Sequence, residues 1–326
     1  MGTLAIAIPY VLFVWWFSTG TVLLLVGMSL RHGALLKAGA AVLFVASLAG
    51  VAVSSRDASA AGAYCVFTCA ILLWGAVEIS LLAGWITGPR PQPCPRDCST
   101  VDRVWFALQA TAYHEFALIA TAGLVFAVTA STPNQLGWWT FAAMLVLRQS
   151  AKINLFLGVR TLNDELLPAQ VDFLRSYFAR KPMNALFPFS VTAATAAAAW
   201  LAMAAVDAEA GFEALGYALL ATLVALGALE HWFMVLPMPV VDLWRWSMRA
   251  REPVAPAPEL VVRPVLAVIP GGAAAAERPV VKSAAFLARQ RLEDQFRQAY
   301  RESKAASAAE QDASLGFNRT AEGRLP

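Results

Sequence analysis

Charge is scarce in this sequence. Only 14% of its 326 residues are Asp, Glu, Lys or Arg, against about 25% in a soluble domain. Histidine is scarcer, with three copies. The net charge is only +3, and the basic residues are spread along the chain instead of massed on one element. That pattern excludes a nucleic-acid binder. No glycine-rich phosphate loop, nucleophile elbow or zinc-protease motif is found, and no internal repeat. Cysteine is limited to two close pairs. Cys65 and Cys69 stand four apart in an apolar run and are expected as small buried thiols. Cys94 and Cys98 flank a CPRDC loop, a spacing that fits neither the common redox pair nor a complete zinc site.

Apolar residues are what the chain has in excess. They make up 59% of it, and the mean hydropathy is +0.58. A membrane helix needs about 20 apolar residues. Seven runs meet that length: 6–30, 35–53, 60–86, 104–130, 136–157, 186–206 and 214–236. The first is too long for the apolar core of a secretory signal, about 7–15 residues, and reads as a retained span. The expected fold is all-α, a polytopic membrane helix bundle of about seven transmembrane helices.

The loops orient it. Arg31 and Lys37 follow the first run; Arg90, Arg96 and Arg103 the third; Arg160, Arg175, Arg180 and Lys181 the fifth; Arg245, Arg249 and Arg251 the seventh. The opposite loops hold only Arg56, offset by Asp57, and the acids Asp207, Glu209 and Glu213. The positive-inside rule then places the N-terminus in the periplasm and the C-terminus in the cytoplasm. The bundle domain ends near residue 250. A linker rich in Pro, Ala and Gly spans 251–281, and a tail over 282–326 carries one helix, 282–304.

The longest polar interruption is RQSAKINLFLGVRTLNDELLPAQVDFLRSYF, residues 148–178. Around and after Pro168, which suits the first turn of a helix, the residues Leu167, Val171, Leu174 and Phe178 recur at helical spacing. They predict a short helix, lying in the membrane interface or packed on the end of the bundle. Trp244, Arg245 and Trp246 read as a membrane–water boundary.

Ionisable groups inside a bilayer are costly, so they are the informative positions. Glu78 lies roughly 12 Å, and His114 and Glu115 roughly 15 Å, from the cytoplasmic ends of their runs at 1.5 Å per residue. Arg148, Lys152 and Asn154 occupy the last third of the fifth run, and Glu230 and His231 the end of the seventh. Three readings are open. Glu78 or Glu115 could pair with Arg148 or Lys152 as interhelical glue. His114 or His231 could be the axial ligand of a tetrapyrrole metal. A carboxylate–histidine metal centre is the third. Against it, both Glu/His pairs are adjacent in sequence and point about 100° apart, whereas the bundle di-iron pattern is Glu-x-x-His. His32 is expected in a solvated cytoplasmic turn.

Several stretches carry a family resemblance. They are WGAVEISLLAGWITGPR (74–90), YHE (113–115), RQSAKINLFLGV (148–159), ELLP (165–168), SYF (176–178), NALFPFSV (184–191), LEHWFMVLPMP (229–239) and LWRW (243–246). In this order they resemble the PuhE family, photosynthetic-complex assembly proteins of purple and related phototrophic bacteria. The resemblance implies a multi-pass protein of the bacterial inner (intracytoplasmic) membrane. Its implied partners are the lipid bilayer and the reaction-centre and light-harvesting subunits, and its implied role is in building or tuning the bacteriochlorophyll–protein apparatus; whether it binds bacteriochlorophyll or another tetrapyrrole is left open. It supplies no catalytic residues. The expected function is a non-enzymatic assembly factor that holds a subunit or a pigment. The alternative is a membrane enzyme or regulator of bacteriochlorophyll metabolism using the Glu/His layer. A transporter is a weaker third reading, because paired Gly/Pro-broken helices are absent.

Overall fold

The structure is a computed structural model and describes residues 2–95 and 98–248. The expected linker and tail helix lie outside the described residues. Within them the chain is helical, with no strand beyond a single bridge between Val159 and Arg180. The long helices are α1 (Gly2–Gly27), α2 (Ser29–Ser54), α3 (Ala60–Leu82), α4 (Thr100–Thr129), α5 (Leu136–Leu157), α6 (Phe187–Asp207) and α7 (Phe212–Phe233). Six of these described helices are long and apolar enough to cross a membrane. The exception is α5, whose last third carries Arg148, Gln149, Ser150, Lys152 and Asn154.

Local chemistry sets the ends. Ser59 caps α3 by accepting from the Gly62 N–H at 3.2 Å. Ser99 and Asp102 form a reciprocal capping box on α4, which satisfies two otherwise orphaned donors. Between α4 and α5, Asn134 donates to the carbonyls of Ser54 and Asp57 at 3.2 and 2.9 Å. This ties the α2–α3 turn to the α4–α5 turn. His32 is not in a turn; it marks a kink inside α2, with φ −125° and ψ 35°.

The core lies where α1, α3, α5 and α7 face one another. Val66, Phe67, Ala70 and Leu73 of α3 and Ala218 and Leu219 of α7 are fully buried. Without a hydrophobic driving force inside lipid, helices associate by close packing over small residues. Gly137 of α5 lies against Val66, and Gly227 of α7 against Leu147. α2 leans on α3 and α6 on α7. Their outer faces expose Val42, Val45, Val53, Phe189, Trp200 and Met203, side chains suited to acyl chains.

At the end of the bundle reached by α3, α5 and α7 the connections are ordered. Residues Ala169–Tyr177 form a 3-10 helix whose buried face is Val171, Leu174 and Tyr177. It packs on Ala107, Ala110 and Phe156, against the end of the bundle. The Tyr177 hydroxyl donates to the Gln92 carbonyl and accepts from Arg90. The Arg90 guanidinium also covers the Phe106 ring, 4.2 Å from its centroid. Burial pushes the Tyr177 hydroxyl above the ordinary tyrosine value of 10.0, and the Arg90 charge opposes that shift. In the same connection Cys94 and Cys98 form a disulfide. Thr87 accepts from the His114 N–H at 3.0 Å, and Gly88 lies directly on the α4 backbone at Gln109.

After α7 the chain returns to α1. Trp244 is buried and meets the Trp15 ring edge-on at 5.2 Å. Its Nε1–H donates to the Trp16 carbonyl, while Trp16 donates to the Leu243 carbonyl. Trp246 rests on Gly20. These indoles dock a returning segment; they do not simply mark a boundary. Cys65 is an exposed thiol and Cys69 a half-buried one, since only one side of α3 at this level meets α2.

Candidate functional site

The polar residues singled out from the sequence gather into a layer across α3, α4, α5 and α7. Glu78 of α3 and Arg148 of α5 make a forked pair, Nε to Oε1 and Nη2 to Oε2, both 3.2 Å. Such two-bond geometry is the strongest form of carboxylate recognition. His114 of α4 approaches the same carboxylate, with Nε2 at 3.7 Å from Oε1. That is beyond hydrogen-bond length. His114 is 1% exposed, and neither ring nitrogen has a hydrogen-bond partner.

Glu115, one residue on, turns to a different group. It takes the Lys152 ammonium at 2.5 Å on Oε1 and the Gln149 amide on Oε2. The roughly 100° step between neighbours on a helix separates the two roles. Glu230 and His231 divide in the same way. Glu230 accepts from the Trp15 Nε1–H of α1 at 2.6 Å. His231 faces α5. Its Nδ1 donates to the Gly227 carbonyl at 2.7 Å, since a carbonyl only accepts. Neutral His231 is thereby held as the Nδ1–H tautomer, so Nε2 accepts from the Ser150 hydroxyl at 2.9 Å.

Asn154 continues the layer to α6, donating to the Ser150 carbonyl at 2.9 Å and to Ser190 Oγ at 3.0 Å. Asn184 then ties the end of α5 to the start of α6. It donates to the carbonyls of Asn154 and Gly158 and accepts from the N–H groups of Leu186 and Phe187. Trp15, Ser150, Ser190 and Asn184 belong to the network and were not singled out from the sequence. Only Asn184 carried a local signal, an Asn just before an apolar helical run. The others depend on which helices are neighbours.

The arrangement is mostly self-satisfying. Isolated ionised groups at the centre of a membrane helix cost about 2.5–3.5 kcal/mol each on insertion scales; here two of the three acids take cations directly. Among the described residues no three His, Cys, Asp or Glu side chains converge as a metal-binding set. Both nitrogens of His231 are engaged, so of the two histidines in the layer the one with unused ligating capacity is His114.

Comparison with known proteins places the chain. The profile described as "Protein of unknown function (DUF3623)" matches residues 1–255. The chain belongs to the DUF3623 family. It is 38% identical over 266 residues to a Rhodobacter capsulatus protein recorded as "Uncharacterized 30.4 kDa protein in puhA 5'region". That match covers 80% of this chain and 96% of the relative. No solved structure matches. The family match spans every helix of the polar layer, so the layer lies within the part of the chain shared with the family.

Proposed function

We propose that this DUF3623 protein is a multi-pass factor of the bacterial inner (intracytoplasmic) membrane that assists assembly of the photosynthetic reaction centre and light-harvesting complex. It would hold a subunit or a bacteriochlorophyll pigment while the complex forms. In this reading α5 is the seventh span, carried across by its ion-paired partners, with the N-terminus periplasmic and the C-terminus cytoplasmic. The supporting observation is the relative encoded beside puhA, a photosynthesis locus, and matched over nearly its whole length. The geometry favours a scaffold, because the Glu78–Arg148 and Glu115–Lys152 pairs use their charges on each other. A second reading, an enzyme or regulator of bacteriochlorophyll metabolism, rests on His114 and its unpartnered nitrogens beside Glu78.

The test is purification in mild detergent from a phototrophically grown host, with an absorption spectrum, metal analysis and identification of co-purifying chains. The assembly reading expects reaction-centre or antenna subunits, or a stoichiometric tetrapyrrole, and loss of assembled complex in a deletion strain. A protein that purifies with neither, from a host whose complexes are unchanged on deletion, removes it. A chain free of partners whose deletion causes a pigment precursor to accumulate, reversed by wild type but not by His114→Ala, selects the second reading.

A further inference from the structure

Helices α1, α3, α5 and α7 border a half-open cavity of about 300 Å³. Its walls are largely apolar, with Leu23, Ile71, Trp74, Met144, Leu223 and Leu226 among them. Three ionisable side chains reach it: Glu78, Arg148 and Glu230. Two of these neutralise one another, because Glu78 takes Arg148 through both carboxylate oxygens. Glu230 has no such partner. It is exposed within the structure and accepts one hydrogen bond, from Trp15. Among the described residues it makes no ion pair, so the ionised set carries a formal charge of −1.

That charge decides what the cavity selects. A carboxylate facing apolar walls is stabilised most by a counter-cation, because its attraction is weakly screened there. An anion is repelled. A neutral molecule fills the space but leaves Glu230 with no charge nearer than Arg148, which Glu78 already takes. The forked contact with Glu78 keeps the Arg148 charge from opposing a second cation. We infer that this cavity binds a small organic ammonium, a protonated amine on an apolar body, with Glu230 as its counter-ion. The volume stands at the low end of small-molecule pockets, roughly 300–1,000 Å³. The ligand is therefore a one- or two-ring amine or a short alkyl amine, not a tetrapyrrole macrocycle. The site does not rest on the assembly role and stands or falls separately from it.

The test uses the full chain in a neutral detergent with three probes of one shape: benzylamine, benzyl alcohol and benzoate. Two readouts are followed, the thermal unfolding midpoint and the rate at which dicyclohexylcarbodiimide modifies Glu230, located by peptide mass spectrometry. Benzylamine is expected to raise the midpoint and to protect Glu230 from the reagent. Benzyl alcohol and benzoate are expected to do so at least roughly tenfold more weakly, since a hydrogen-bonded charge contact is worth that factor or more. Glu230→Gln is expected to abolish the benzylamine preference. Should that variant not fold, Leu226→Trp, which fills the cavity and leaves Glu230 in place, is expected to abolish both the midpoint shift and the protection. Equal responses to benzylamine and benzyl alcohol overturn the assignment. So does absence of any benzylamine effect on the wild type, or protection that persists in Leu226→Trp.

Discussion

Breaking the forked pair in the bundle should reveal an asymmetry between its two partners. Glu78 is 12% exposed and Arg148 37%, the latter opening on the cavity. Remove Glu78 as a charge, by Glu78→Gln, and Arg148 still has Glu115 and Glu230 within electrostatic reach. Remove Arg148, by Arg148→Met, and Glu78 keeps His114, at 3.7 Å and cationic only if protonated, and the more distant Lys152, whose ammonium Glu115 already takes. Stranding a buried charge costs about 3–5 kcal/mol in soluble proteins, while single polar contacts in bilayers average only about 0.6 kcal/mol. Between these scales, Arg148→Met should destabilise by about 2–4 kcal/mol and Glu78→Gln by about 1–2 kcal/mol. The double variant strands neither charge and should cost about 1–2 kcal/mol, well under the sum. The assay is unfolding by SDS titration in mixed micelles, run on all four proteins as a double-mutant cycle. Additivity within about 0.5 kcal/mol, or a larger loss in Glu78→Gln than in Arg148→Met, would refute the argument.

Gly88→Ala should destabilise by about 3 kcal/mol, because its methyl would overlap the Gln109 carbonyl of α4; Gly123→Ala, with open space around it, should stabilise by about 0.5–1 kcal/mol. Both are read in the same SDS titration. Tyr177→Phe removes the bonds with Gln92 and Arg90 and should cost about 1–2 kcal/mol. The raised Tyr177 value fixes the sign of its pH effect. Its stabilisation is complete below the unfolded tyrosine value and declines as pH rises through the higher folded one, so the wild-type advantage over Tyr177→Phe should shrink in alkaline unfolding curves. His231→Ala leaves the half-buried Ser150 hydroxyl without its acceptor and should cost about 1–2 kcal/mol; His231→Gln, able to accept in its place, should recover part of that loss.

The apolar runs were legible because a bilayer demands them, and their positions agree with the helices to within a few residues. The first expected run ends at 30, but α1 ends at Gly27, since hydropathy does not register the turn at Met28. The α5 segment was legible as a helix, and its polar last third sets it apart from the six described helices apolar enough to cross a membrane. In the connection after α5, helical spacing pointed to Leu167, Val171, Leu174 and Phe178. The buried face is Val171, Leu174 and Tyr177, because a 3-10 helix repeats every three residues. For the polar layer, sequence position supplied depth along each helix but not azimuth. The residues named from it do share a level; which acid meets which base, and that Trp15 reaches Glu230, follow from helix neighbours that a single sequence does not reveal.

One feature of the chain sets two physical rules against each other. The 83–99 connection carries Arg90, Arg96 and Arg103 at or beside it, and the positive-inside rule assigns such a loop to the cytoplasm. The same connection closes the Cys94–Cys98 disulfide, a bond that persists in oxidising compartments and is transient in the cytosol. Charge should dominate the orientation, because it acts as the loop is sorted, whereas the disulfide forms only after the loop has reached its compartment. Four positively charged connections on one side also outweigh one cysteine pair. The expected result is that a membrane-impermeant maleimide fails to label Cys94 and Cys98 in intact spheroplasts, with or without prior reductant, and labels them after lysis and reduction. Labelling from the outside once reductant is added would place this end of α3 and α4 in the periplasm. It would reverse the orientation of the bundle and make the disulfide a permanent staple within the 83–99 connection itself.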